Sequence, residues 1–273
     1  MRPRYLLLSI LTAVLTACQT DPDPTAPPPI VPEPATLLRD VVVQSLPSPY
    51  YHFDYDAGSR VSAVSFASGL TSYDVTYDGD RIAEMRNNTV VNHDRLTYFY
   101  DTSGRLNTIT EADANGSLFA TLVFTYDGRQ LTGVRRTRRI NSGFVVDKRM
   151  SMSYYPDGNV LEITERRPAI EGVQDETTVV DRYEQYDDKV NVDGFDLIHD
   201  DFFDHFVLLP DIKLQQGNPG RVIRTGDGLN FTIDYRYTYD GRERPLTKVG
   251  AFTLTNGDDA GRQFESTTVF SYY

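Results

Sequence analysis

Carboxylates and imidazoles crowd one stretch of this chain: Asp193, Asp196, His199, Asp200, Asp201, Asp204 and His205 fall within thirteen residues. Hard carboxylate oxygens in such number suit a cation like Ca2+, which takes about six to eight oxygen ligands. The spacing departs from an EF-hand loop, whose acids alternate and end in a glutamate. Zinc through His199 and His205 would need a third ligand, and a gap of six residues puts the two rings on opposed faces of a helix. The plainer expectation is a short amphipathic helix over 200–209, with Phe202, Phe203 and Phe206 covering one end of the domain and the acids in water. The stretch is therefore a candidate cation or ligand region, with no metal or cofactor assigned.

Other reactive groupings are sparse. Asp187 and Asp188 could in principle share glycoside acid and base work, but a turn-capping role fits their neighbours better. There is no Gly-x-Ser-x-Gly, no His-Glu-x-x-His and no phosphate-binding glycine loop. The basic run Arg135-Arg136-Thr137-Arg138-Arg139 stands out in a chain of net charge −12. On a strand its members alternate faces, so acids across the sheet would neutralise them, and a polyanion site is the sharper alternative. The overall acidity repels phosphate backbones, which excludes nucleic acid as a general partner.

Cys18 is the only cysteine, which removes disulfide and thiolate-metal chemistry. It follows Arg2, Arg4, an apolar run and the small-residue stretch Leu15-Thr16-Ala17, a secretion signal over 1–17. Leu-Thr-Ala-Cys resembles the bacterial lipobox, which implies lipidation of Cys18, a membrane anchor there and an outer-membrane lipoprotein on its periplasmic or surface face. The segment 18–35 carries seven prolines and has little to bury, so an extended spacer of roughly 50 Å is expected. The remainder, 36–273, reads as one domain, interrupted by an insertion at about 187–230.

The domain repeats itself. Tyr55-Asp56, Tyr77-Asp78, Tyr100-Asp101, Tyr126-Asp127, Tyr155-Pro156-Asp157, Tyr186-Asp187 and Tyr239-Asp240 recur at steps of 22, 23, 26, 29, 31 and 53 residues. Alternating runs such as Tyr73, Val75, Tyr77 precede the tyrosines and mark strands. Turn glycines follow, then apolar pairs at spacing three: Val61/Val64, Ile82/Met85, Leu106/Ile109, Leu131/Val134, Val160/Ile163 and Leu246/Val249. Each unit reads as strand, tight turn, strand, with Asp capping the turn. The expected fold is all-β: an antiparallel up-and-down meander of about 14 strands with a short helical or irregular insertion.

Tyr100-Asp101-Thr102-Ser103-Gly104-Arg105-Leu106 looks like a YD or Rhs-type repeat. The copy at Tyr186 lacks the glycine, so the units are degenerate. The domain as a whole resembles Bacteroidota lipoproteins of unknown function with a porin-like barrel fold, which implies closure or near-closure of the meander. Polar residues on alternate positions, such as Ser72, Asp74 and Thr76, favour a water-facing barrel over a spanning one. The function expected is a non-enzymatic binding or scaffold module, with a glycan or envelope protein as partner. The alternative is a secreted polysaccharide-acting hydrolase with carboxylates at a barrel mouth. Replacing Cys18 by Ala is expected to move the protein from the membrane to the soluble fraction, and continued membrane association on fractionation would refute the anchor.

Overall fold

The computed structural model describes residues 36–90, 92–199 and 205–273. Cys18, the signal and the Pro-rich spacer lie outside the described residues, as do Asp200, Asp201 and Asp204. The domain is a closed antiparallel barrel in which every strand pairs with its chain neighbours and the first pairs with the last. The first eight strands are β1 (Leu38–Val43), β2 (Tyr51–Tyr55), β3 (Val61–Phe66), β4 (Thr71–Asp78), β5 (Arg81–Asn87), β6 (Arg95–Tyr100), β7 (Leu106–Ala112) and β8 (Leu118–Asp127). The second eight are β9 (Gln130–Ile140), β10 (Gly143–Tyr154), β11 (Val160–Arg167), β12 (Thr177–Glu184), β13 (Arg221–Gly226), β14 (Phe231–Tyr239), β15 (Pro245–Leu254) and β16 (Gln263–Tyr272). Seven Tyr-Asp units account for β2 to β15. The two strands beyond the expected fourteen, β1 and β16, are the separated halves of an eighth unit that meet at the seam.

The spacing of three has a definite cause. In a regular strand residues i and i+3 face opposite sides. A β-bulge precedes the tyrosine in each of these units: Tyr77 opposes Ile82 while Thr76 opposes Glu84, so Ala83 is the extra residue. Ser62, Asn107, Thr132 and Leu161 are extra in the same way. The added residue restores parity, and both members of each pair point into the barrel, as with Ile82 and Met85, at 4% and 0% exposure. The seam repeats the device, with Leu38 opposite Tyr272, Asp40 opposite Ser271, and the buried pair Leu38/Val41.

The pairing corrects the sequence reading in two places. In β15 the inward pair is not Leu246/Val249 but Pro245 and Lys248, because Leu246 is the bulge residue and is 39% exposed. In the fifth unit the tyrosine in register is Tyr154 rather than Tyr155.

The repeat tyrosines stitch neighbouring units. Tyr77, Tyr100, Tyr126, Tyr154 and Tyr186 donate their hydroxyls to the carbonyls of Val61, Ile82, Leu106, Leu131 and Val160, at 2.8, 2.9, 2.7, 2.5 and 2.8 Å. On either side of the seam Tyr272 of β16 donates to Pro245 of β15, and Tyr55 of β2 donates to Leu38 of β1. The turn Asp serves both backbone and side chain: Asp101 accepts from the N–H groups of Ser103 and Arg105 and from the Arg105 guanidinium. That guanidinium lies 5.1 Å from the Tyr126 ring centre and donates to the Gly128 carbonyl, so this turn grips the next. Arg60 does the same with Asp56, Tyr77 and Gly79.

The barrel is apolar inside and polar outside. Tyr73, Val75, Leu96, Tyr98, Leu122 and Phe124 face a continuous core. The alternate positions carry charge, with ion pairs such as Arg86–Glu84 at 2.9 Å, Arg182–Glu184 at 2.9 Å and Arg236–Glu265 at 2.7 Å.

Hydrogen bonds from Ser103 and Arg105 hold the Asp101 carboxyl well below the usual carboxylate range. A depressed folded pKa means stability present above the unfolded pKa and lost as the pH falls through the folded one. Asp101→Asn is therefore expected to lower the melting temperature at pH 7, with the gap to wild type closing below about pH 4. A thermal melt series that showed a pH-independent gap would refute the charged role of this turn.

Candidate functional site

The connection from β12 to β13, residues 185–220, leaves and rejoins the barrel at the end that carries the Tyr-Asp turns. It does not cover that end as a helix. Its described parts, 185–199 and 205–220, lie in the lumen and help to fill the space that a barrel of this strand number encloses. On entry Val190 donates to the Glu243 carbonyl. A single 3-10 turn, Gly194–Ile198, follows, and Phe195 packs edge-on against Tyr51 and Phe53 at 5.1 and 5.2 Å. On return the Leu208 carbonyl accepts from the Tyr98 hydroxyl and the Leu214 carbonyl from Val160. Ile198, Phe206, Val207 and Leu214 join the core. Residues 205–209 are not helical, so the described part of the expected 200–209 helix is absent, although Phe206 is fully buried.

The two histidines are anchors of this plug. His199 Nδ1 pairs with the Tyr51 hydroxyl at 3.0 Å. His205 Nδ1 pairs with the Tyr73 hydroxyl at 2.6 Å, and its Nε2 with Asp94 at 3.2 Å. Asp187 caps as expected, accepting from the N–H groups of Lys189 and Asn218 and from the Tyr239 hydroxyl. Among the described residues no three His, Cys, Asp or Glu side chains gather at metal-binding distance.

Asp193 and Asp196 do come together, around an internal cation. The Lys248 ammonium is bonded to the Asp193 carboxylate, and Asn191 donates to the same group at 3.2 Å. Lys248 stands in β15 where the other units place Met85, Ile109 or Val134. Gly250, two residues along, leaves room for the Tyr235 ring, since a Cβ there would sit 2.9 Å from it. The cluster borders a cavity of about 170 Å3 that Asp181, Arg224 and Tyr237 also line. Burial, and then the neighbouring Asp193 charge, push the Asp196 carboxyl up to about 7. Sequence reasoning missed Lys248. The signal was its offset of nine from Tyr239, which matches Val64 from Tyr55 and Ile109 from Tyr100.

A larger cavity, about 490 Å3, lies at the mouth opposite the Tyr-Asp turns. Strands β3 to β5 and β7 to β10, the β5–β6 loop and the plug wall it. Arg136, Arg138 and Lys148 enter from β9 and β10, Glu111 from β7, Asp94 from the β5–β6 loop, and Phe66, Phe119 and Tyr73 supply rings. Arg136 is fixed by the fully buried Asp147, donating from Nη2 at 2.9 Å and from Nε at 3.2 Å, and Arg138 Nε lies 3.2 Å from the same carboxylate. Asp147 occupies a bulge, between Val146 and Lys148, which turns its side chain inward beside both arginines. Lys148 lies 3.5 Å from Glu165. The inward half of the basic run is thus neutralised by acids, as the sequence led us to expect.

No protein-family model matches the sequence, and no curated protein matches it. Among solved structures the fold is similar to that of a porin-like protein from Bacteroides uniformis, with a TM-score of 0.57 at 13% identity, covering 82% of this chain and 90% of that one. It is equally similar to a porin-like protein from Bacteroides vulgatus, with a TM-score of 0.57 at 14% identity, covering 87% of this chain and 99% of that one. At such identities the likeness shows the barrel fold.

A carboxyl with a folded pKa of about 7, against an unfolded value of about 3.9, holds its proton more tightly when folded. Its contribution to stability is fullest at low pH and is lost as the pH rises toward 7. Asp196→Asn is expected to raise the melting temperature at pH 8 by several degrees and to change it little at pH 4. An equal shift at both pH values would show that Asp196 does not titrate in this range.

Proposed function

We propose that this chain is a non-enzymatic binding module of the cell envelope. In this reading the barrel is tethered through lipid on Cys18 by the Pro-rich spacer, and its mouth cavity holds a small polar ligand of carbohydrate type. The resemblance of the Tyr-Asp units to YD or Rhs-type repeats supports a scaffold role.

The observation that carries the reading is the sense of the barrel's polarity. A membrane-spanning barrel is apolar outward around a polar lumen. Here an apolar core, with its inward charges paired, occupies the lumen together with the described parts of the 185–220 segment, while the wall carries pairs such as Arg86–Glu84 and Arg236–Glu265. Each lysine or arginine facing the bilayer midplane would cost about 2–4 kcal/mol, so a water-facing wall and a closed lumen are favoured over a pore. The mouth cavity, at about 490 Å3, falls in the range of about 300–1,000 Å3 that small ligands use. It combines aromatic walls with guanidinium, carboxylate and amide groups, the mixture that a sugar's apolar faces and hydroxyls require.

The hydrolase reading has one observation in its favour, the raised Asp196 beside Asp193. The cavity at that pair, about 170 Å3, is below the size that ligand pockets usually have, and Lys248 already occupies Asp193.

Two measurements test the proposal. Purified full-length protein in planar bilayers is expected to give no conductance steps, and stepwise conductance would establish a pore. In thermal-shift titrations with neutral and acidic mono- and disaccharides, at least one sugar is expected to raise the melting temperature of wild type and not of Arg138→Gln. A panel without any shift would sink the sugar pocket.

A further inference from the structure

Like charges directly opposite each other on neighbouring strands are destabilising, and this barrel places three in a row. Arg149 on β10 opposes Arg135 on β9 and Arg166 on β11. All three are exposed and alternate with inward-facing neighbours such as Arg136 and Met150, so they stand on the outer wall. Arg166 reaches Glu176 at 2.9 Å. Among the described residues Arg135 and Arg149 have no carboxylate within ion-pair distance. The expectation that acids would neutralise the basic run holds for Arg136 and Arg138 and fails for this face.

The next row toward the Tyr-Asp end is small and hydroxylated: Thr125 opposes Gly133, which opposes Ser151, which opposes Thr164. Gly133 must be small, because a Cβ there would lie 2.6 Å from the Thr125 hydroxyl. The result is an open groove of about 560 Å3 lined by Thr125, Gly133, Arg135, Arg149, Ser151 and Arg166. Glu162 stands at its margin, where Thr164 bonds it at 3.4 Å.

We propose that this groove binds an acidic polysaccharide. Strands lie about 4.8 Å apart, so the guanidiniums form a cationic bar about 10 Å long across three strands, which suits successive carboxylates or sulfates of one polymer. The hydroxyl row offers partners for sugar hydroxyls. Among the described residues no aromatic ring lines the groove, which removes the stacking platform that single-stranded nucleic acid uses. The chain as a whole carries a net charge of −12, which repels extended anionic surfaces such as bilayers and duplexes. This site faces outward and is independent of the mouth cavity and of the sugar reading made there.

The test is affinity gel electrophoresis of full-length protein through polygalacturonate, with dextran as the neutral control. Retardation by polygalacturonate and not by dextran is expected, weakening at least tenfold in Arg149→Gln and in Arg135→Gln, and unchanged in Arg242→Gln at the Tyr-Asp end. Arg149→Gln is also expected to melt no lower than wild type, since it relieves repulsion, so lost binding will not reflect lost folding. The proposal is overturned by wild-type retardation in Arg149→Gln, by equal retardation in dextran, or by tighter binding to a single-stranded oligonucleotide or to anionic phosphatidylglycerol vesicles than to polygalacturonate.

Discussion

The tyrosine hydroxyl that reaches the carbonyl of the neighbouring unit is the contact on which the barrel depends. At Tyr77, Tyr100 and Tyr126 it accompanies a bulge that shifts the tyrosine's partner strand by one residue, and the same bulge brings both apolar residues of the next strand inside. Bulges also bend and twist the sheet. Repeated around the circumference, they curve a meander that would otherwise have two exposed edges, until β1 meets β16. The seam is ordinary in this respect. Tyr272 with Leu38 has the same bulged register as Tyr77 with Ile82, and the hydroxyls of Tyr272 and Tyr55 carry the stitches onto both halves of the split unit. A split eighth unit makes closure a continuation of the repeat.

Closing sixteen strands creates a second problem, since inward side chains alone do not fill a lumen of that size. The chain meets it with the 185–220 segment. Its apolar residues, Phe195, Ile198, Phe206 and Leu214, complete the core. Its backbone is satisfied by groups that the barrel supplies, among them Tyr98, Val160 and the Asn159 carboxamide, which accepts from Gln216 and Gly217. Where polar side chains face inward they are paired: Lys248 with Asp193, Arg224 with Asp181, Arg136 and Arg138 with Asp147. Buried charge left alone would cost far more than a surface charge, so the interior is ordered by pairs as much as by packing.

Much of this was legible in the sequence. Period-two alternation before each tyrosine and the glycine turns after it are local signals, and they located the hairpins. The spacing of three was visible without its cause, because a bulge is a property of two strands and not of one. That gap misassigned the last unit: Leu246 and Val249 look like a core pair, and only the register puts Pro245 and Lys248 inside. The plug was legible as an interruption but not as an interior element. Its phenylalanines and acids lack a period, and whether a connection covers a barrel or enters it depends on the room inside, which is a global quantity.

The basic run shows how one strand can serve two environments. Five consecutive residues contribute Arg136 and Arg138 to the lumen and Arg135 to the outer wall, because side chains alternate. Arg136, whose side chain is buried, had to find Asp147, since a desolvated guanidinium is not tolerated alone, and the half-exposed Arg138 shares the same carboxylate. The outward residues faced no such demand, as water screens them. Nothing in folding calls for Arg149 between Arg135 and Arg166, and the arrangement weakens the sheet at that row. An anion bound across Arg135 and Arg149, beside the Arg166–Glu176 pair, would relieve that repulsion, and on the binding proposed for this groove the wall of the barrel has as strong a claim to function as its mouth.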